Sequence, residues 1–189
     1  MITFQRPLLV GALMGLPLLA SAADQPATDN ADRALTSSGS APLVEKVKRA
    51  TEQFKNLNVA LNQGWVAATT CVSGPNFGAM GVHFGLPARI GDGEVKGDEP
   101  ELLIYEPLSG GDTRLVGVEF IVIADDWADK HPNGEPPSVD GHLMNFVGEP
   151  NRYGLPAFYE LHVWAWEHNP DGYFADWNKL VTCNKQTAD

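Results

Sequence analysis

The sequence predicts an α+β fold, with one N-terminal amphipathic helix packed on a mainly antiparallel sheet or a small barrel. Two observations lead to this prediction. Apolar residues recur at steps of three and four over a single stretch, from Leu43 to Gln63. The segments that follow are short and rich in β-branched and aromatic residues, and no helical pattern alternates with them.

The helix is predicted from its faces and its ends. Val44, Val47 and Phe54 lie on one apolar face, with charged residues between them. Pro42 suits the first turn, and Gly64 suits the left-handed position after the last turn. Asparagines near the middle favour a bend.

Five segments have the composition of β-strands. The Gly-containing connection 107–113 predicts a hairpin between the third and the fourth. The segments are Trp65 to Thr70, Ala79 to Phe84, Leu102 to Glu106, Leu115 to Ile123 and Phe158 to Trp166.

The expected hairpin register sets Glu106 opposite Arg114, where the two side chains form a cross-strand ion pair. In the same register Glu119 lies on the face that carries Leu103 and Tyr105.

The N-terminus predicts export. Residues 1–22 have the pattern of a signal peptide, with Arg6, an apolar stretch and the small-residue box 20–22. Residues 23–41 contain little to bury and predict a flexible leader, so residues 42–189 would form a single α+β domain. The expected location is the periplasm or the extracellular space.

Charge excludes two classes of partner. The chain has 13 Lys and Arg against 24 Asp and Glu, a net charge of −11. Nucleic acids and anionic membranes are bound by clustered basic residues, so neither is expected as a partner. No apolar run after residue 22 is long enough for a membrane span. The expected partner is a metal ion or a small molecule.

The chain has two cysteines, Cys71 and Cys183. An even number of cysteines in an exported chain predicts a disulfide bond.

Two stretches look irregular, 85–100 and 124–156. The second contains five prolines and is expected to be either disordered or a lid over a site, and the lid is our leading prediction. The aromatic tail 164–178 predicts a small structural core rather than a sugar platform, with a tight turn at 169–172 that leads into a short helix.

Candidate site residues follow from the alternation of side chains along strands. His83, Glu119 and His162 each lie near the middle of a predicted strand, on the face that is not fully apolar. Glycines beside them on two strands are expected to leave room for a ligand.

Two imidazoles and one carboxylate form an open metal set, so we predict a divalent transition metal (Zn, Cu, Fe or Mn) on His83, Glu119 and His162. Glu160 and His142 are additional candidates, as ligands or as partners that orient an imidazole.

Three other interpretations remain open at this level. One is a metal-free binding module that holds a small organic ligand through Trp164, Tyr105 and the two histidines. Another is a hydrolase or lyase that uses His/Glu acid–base chemistry alone. Each site residue can also be an ordinary hydrogen-bonded part of a sheet.

The chain resembles a family of exported bacterial proteins of unassigned function. The resemblance rests on the strings MGVHF (80–84), LVGVE (115–119), LHVWAW (161–166) and NPDGYFADWN (169–178), with the flanking cysteines. It spans roughly Leu43 to Cys183 and implies a self-contained domain whose motifs include His83, Glu119 and His162.

Overall fold

A computed structural model of the chain describes residues 41–186. The predicted signal peptide, and the leader except for residue 41, lie outside these residues. None of the helices in the described part is long and apolar enough to cross a membrane.

The predicted N-terminal helix is divided in two. Helix α1 (Pro42–Thr51) continues as a 3-10 turn (Glu52–Lys55), and α2 (Leu57–Asn62) follows. Asn56 separates them because its backbone is extended, and its side chain accepts a hydrogen bond from the N–H of Asn58. The bend expected from the asparagines is therefore a complete break with a new helix cap.

Antiparallel strands form the main sheet. They are β1 (Val66–Ala67), β2 (Val72–Gly74), β3 (Gly78–Gly85), β4 (Leu102–Pro107), β5 (Thr113–Ile123), β8 (Asn145–Val147) and β9 (Phe158–Val163). Their order in the sheet is β1-β3-β4-β5-β9-β8, with β2 also paired to β3. Within residues 41–186 this sheet stays open, so the barrel alternative is wrong.

The two faces of the sheet have different coverings. One face packs against the helical segment and forms the largest core, in which the Tyr105 hydroxyl donates to the carbonyl oxygen of Phe54 at 2.6 Å. The other face carries His83, Glu119 and His162 and two smaller apolar clusters. The candidate site therefore lies across the sheet from the N-terminal helix.

The β4–β5 hairpin contains a register shift that the sequence does not reveal. Glu106 lies opposite Arg114 and the two side chains are 2.6 Å apart, which confirms the predicted ion pair. Further along, an irregularity in the register pairs Glu119 with Leu102 and so places Glu119 on the face of Leu102 and Ile104. The prediction that Glu119 shares a face with Leu103 and Tyr105 is therefore wrong.

The stretch 124–156 is more regular than expected. It contains helix α4 (Ala124–Lys130), the small sheet of β6 (Ser138–Val139) and β7 (His142–Leu143), and the edge strand β8. The other irregular stretch contains α3 (Pro87–Ile90).

The C-terminal tail returns to the sheet. Asn178 forms a bridge with Ala79, and the disulfide between Cys71 and Cys183 is present. The backbone N–H of Gly172 donates to Asn169, so the predicted turn is confirmed. No helix follows this turn within the described residues, because the tail's polar groups bond to one another across the loop instead.

Candidate metal centre

Three strands of the main sheet position the site. Glu119 on β5 pairs directly with His162 on β9, and β4 separates β5 from His83 on β3. Side chains on the same face of adjacent strands are close enough to touch. Side chains on strands about 10 Å apart, with one strand between them, touch only if they tilt toward each other. His83, Glu119 and His162 therefore converge over β4.

His83 is held in one orientation. It is 3% exposed, and its Nε2 lies 3.3 Å from Oε2 of Glu119. Its Nδ1 lies 3.1 Å from Oγ1 of Thr69, and this oxygen also accepts a hydrogen bond from the backbone N–H of His83. The Thr69 hydroxyl therefore fixes the imidazole so that Nε2 faces Glu119.

His162 is the residue with the most unusual environment. It is 1% exposed, and neither ring nitrogen has a hydrogen-bond partner within the described residues. Its Nε2 lies 3.9 Å from Oε2 of Glu119, and its Nδ1 lies 4.0 Å from Oδ1 of Asp176. Both separations exceed a hydrogen bond, although buried polar groups are normally satisfied.

Carboxylates surround these imidazoles. Glu160 shares a hydrogen bond with Glu119. Together with His162 and Asp176, it forms a second group whose potential ligand atoms lie within 4.8 Å of one another. Asn145 donates to Asp176 at 3.5 Å.

Burial determines the protonation of the site. It lowers the pKa of His83 to about 4, and burial together with His83 lowers the pKa of His162 to about 3. Both imidazoles are therefore neutral near pH 7. Burial and the neighbouring Glu160 raise the pKa of Glu119, and burial also raises the pKa of Glu160. The raised pKa of Glu119 favours a proton on this carboxyl, which a bound cation would displace.

Not every predicted site residue lies at this centre. Tyr105 is on the opposite face, so it cannot contribute to a ligand site here. His142 is in neither group of potential ligands; its ring packs against Phe174 with centroids 4.1 Å apart. Trp164 stacks beside His162, with centroids 6.2 Å apart.

The glycines beside the site do not provide space for a ligand, contrary to expectation. A Cβ atom on Gly117 would lie 2.8 Å from the carbonyl oxygen of Val163, and one on Gly85 would lie 2.9 Å from Cδ1 of Ile90. Neighbouring atoms therefore already fill the volume that the absent side chains leave.

Two residues at the site escaped the sequence reasoning. Thr69 lies in the short segment between β1 and β2, and Asp176 lies in a tail that follows the last strand. Asp176 belongs to the NPDGYFADWN string, but only the return of the tail to Ala79 brings it near His162.

Comparison with protein-family models, curated proteins and solved structures gave no match to this chain. The function is therefore argued from the chemistry of the site.

Proposed function

We propose that the protein binds one divalent transition metal through His83 Nε2, Glu119 and His162 Nε2. The observation that carries this proposal is the pair of unpartnered nitrogens on His162, at a site where a second imidazole and a carboxylate face the same point. A buried imidazole without hydrogen bonds is costly, and a metal ion supplies the missing partner for one nitrogen.

The distances support this assignment. Zinc binds imidazole nitrogen at about 2.0–2.1 Å and carboxylate oxygen at about 2.0–2.2 Å, so a nitrogen and an oxygen ligand of one ion lie at most about 4.3 Å apart. Glu119 Oε2 lies 3.3 Å from His83 Nε2 and 3.9 Å from His162 Nε2, within that limit. Zn, Cu, Fe and Mn all accept this mixture of nitrogen and oxygen donors.

The surrounding residues take supporting roles in this proposal. With Nε2 on the metal, Nδ1 of His83 carries the proton and donates it to Oγ1 of Thr69, and Asp176 faces Nδ1 of His162. Such partners fix the tautomer that presents Nε2 to a metal. Glu160 is either a fourth ligand or the residue that takes up the proton released by Glu119.

We further propose that the protein acts outside the cytoplasm, as a member of the exported family that it resembles. The signal-peptide pattern in residues 1–22 and the disulfide between Cys71 and Cys183 support this location.

The test is elemental mass spectrometry of the protein purified without an affinity tag or a chelator. We expect about one equivalent of a single transition metal per chain. His83→Gln and His162→Gln should lose it, because each removes a ligand nitrogen. His168→Gln is the matched control, since His168 is exposed and belongs to neither group of potential ligands.

Circular dichroism of the variants shows whether they are folded. Folded variants at positions 83 and 162 that both retain full metal would contradict the proposed site. Wild-type protein that takes up none of Zn²⁺, Cu²⁺, Fe²⁺ or Mn²⁺ after incubation and dialysis would also overturn it.

A further inference from the structure

A cavity of about 130 Å³ adjoins the candidate metal centre. His83 and Glu119 line one part of it, together with Thr69. Ala68 and Leu155 also line it and are exposed, so the cavity is accessible from solvent on that side. The remaining wall is apolar and consists of Ile90, Leu102, Ile121, Tyr153 and Phe158.

The polar atoms of this cavity are concentrated at the metal centre. The Thr69 hydroxyl is engaged by His83, and the Tyr153 hydroxyl donates to Sδ of Met80 at 3.6 Å. The imidazole of His83 and the carboxyl of Glu119 therefore provide the polar end. A ligand that fits this cavity is apolar over most of its surface and polar at one end.

We propose that this cavity binds a small molecule with one aromatic ring and a single oxygen substituent, a phenol, with the oxygen directed to the metal. The prediction that an aromatic ring binds here depends only on the size and lining of the cavity. The position of the oxygen rests on the proposed function, because it requires a cation between His83 and Glu119.

The volume favours a single ring. An apolar protein cavity of about 150 Å³ accommodates benzene, and this one is slightly smaller. A single ring therefore fills most of this space, and a second fused ring would have to displace the wall or project past Ala68 and Leu155 into solvent. The rings of Tyr153 and Phe158 meet edge to face, with centroids 6.1 Å apart, and such edges and faces also suit a bound aromatic ring.

The proposed metal is the reason to expect an oxygen substituent on the ligand. With Glu160 as the proton acceptor and not as a ligand, the three protein ligands leave at least one coordination position open, as in catalytic zinc sites. His83 and Glu119 both border the cavity, whereas His162 does not line it. The open position therefore faces the cavity, where the oxygen of a phenol replaces water at the ion.

The experiment is ¹⁹F NMR with 4-fluorophenol and fluorobenzene as probes, on zinc-loaded and metal-free protein. We expect both probes to bind, and 4-fluorophenol to bind at least tenfold more tightly to the zinc-loaded form. The affinity of fluorobenzene should be the same in both forms. 6-Fluoro-2-naphthol should bind at least tenfold more weakly than 4-fluorophenol.

Ala68→Phe places a ring at the mouth of the cavity and replaces none of the proposed metal ligands. It should weaken the binding of both probes at least tenfold and leave the zinc content unchanged. Ala67→Phe is the matched control, because Ala67 is the exposed neighbour on β1 and does not line the cavity. This control should bind both probes as the wild type does.

The outcomes separate this inference from the proposed function. Stoichiometric zinc with no binding of either probe, or with binding that Ala68→Phe leaves intact, overturns the inference and leaves the metal site standing. Protein that takes up no metal but binds both probes equally overturns the proposed function and the assigned position of the oxygen. Fluorobenzene binding that Ala68→Phe abolishes supports the ring site in either case.

Discussion

Thr69 contributes one hydroxyl oxygen to two groups of His83, the backbone N–H at 3.2 Å and Nδ1 at 3.1 Å. An oxygen that contacts both the ring and the backbone of one residue restricts the rotation of that ring. Loss of a partner that orients a ligating imidazole typically weakens metal binding 10–100-fold.

Thr69→Val should therefore weaken metal affinity about 10–100-fold, measured by competition with a chromophoric chelator. Thr69→Ser retains the hydroxyl and should recover most of the affinity. Thr70→Val, at the exposed neighbouring residue, is the control. If Thr69→Ser binds as weakly as Thr69→Val, the hydroxyl does not have this role.

Glu101 is a buried carboxyl that belongs to neither group of potential metal ligands. It is 2% exposed, and its Oε2 accepts a hydrogen bond from the backbone N–H of Ile121 at 3.0 Å. Burial raises its pKa to about 8. The folded state therefore retains this proton at pH values at which the unfolded state has lost it. The proton on Glu101 therefore stabilises the folded state. This stabilisation is complete below about pH 4.5 and is lost as the pH rises to 8.

We expect Glu101→Gln to remove this pH dependence, because the amide cannot ionise but still accepts from Ile121. Relative to wild type, the free energy of unfolding of the variant should rise by about 1.4 kcal/mol per pH unit between pH 5 and 8. Urea titrations at several pH values measure it, with Glu52→Gln as an exposed control. A difference that is constant with pH would contradict the argument.

At the scale of elements, the β4–β5 hairpin shows how far a strand pattern can be interpreted. The ends of both strands, to within two residues, and the pairing of Glu106 with Arg114 follow from composition and the turn. The irregularity near Ile104 does not, because one extra residue in a strand reverses the faces beyond it while leaving the alternation intact. Glu119 and His162 nevertheless share a face, since the register between β5 and β9 is regular.

Gly117 lies in this irregular part of β5, and its backbone approaches β9 closely. Gly117→Ala would place a Cβ 2.8 Å from the carbonyl oxygen of Val163. We expect a loss of about 1–3 kcal/mol in the free energy of unfolding, the usual cost of overpacking. Gly91→Ala is the control, because nothing lies within 4 Å of its Cβ. Equal stabilities of the two variants would show that β9 moves away without cost.

At the scale of the whole molecule, the tail links the last residues to the first strands. The disulfide joins residues 112 positions apart. Glu106 also accepts a hydrogen bond from the backbone N–H of Thr182 at 3.0 Å, in addition to its ion pair with Arg114. The same return of the chain places Asp176 beside His162, so the tail supports both the fold and the site.

Removal of the disulfide by Cys71→Ser and Cys183→Ser together should lower the free energy of unfolding. In the chain-entropy model, a loop of this length contributes about 4–5 kcal/mol. Denaturant titration measures the change, and the reduced and alkylated wild type provides an independent comparison. A loss below about 1 kcal/mol in both proteins would mean that other contacts already restrict the unfolded chain.

The sequence by itself determined the α+β class, the five principal strands, the cysteine pair and the three strand residues of the candidate centre. These features depend on local periodicity and composition, which can be recognised within a short segment of the sequence. The tertiary structure decided the break at Asn56, the shifted hairpin register, and the placement of Thr69 and Asp176 beside the two imidazoles. These features depend on packing between segments that are distant in the sequence, which the local pattern of residues does not specify.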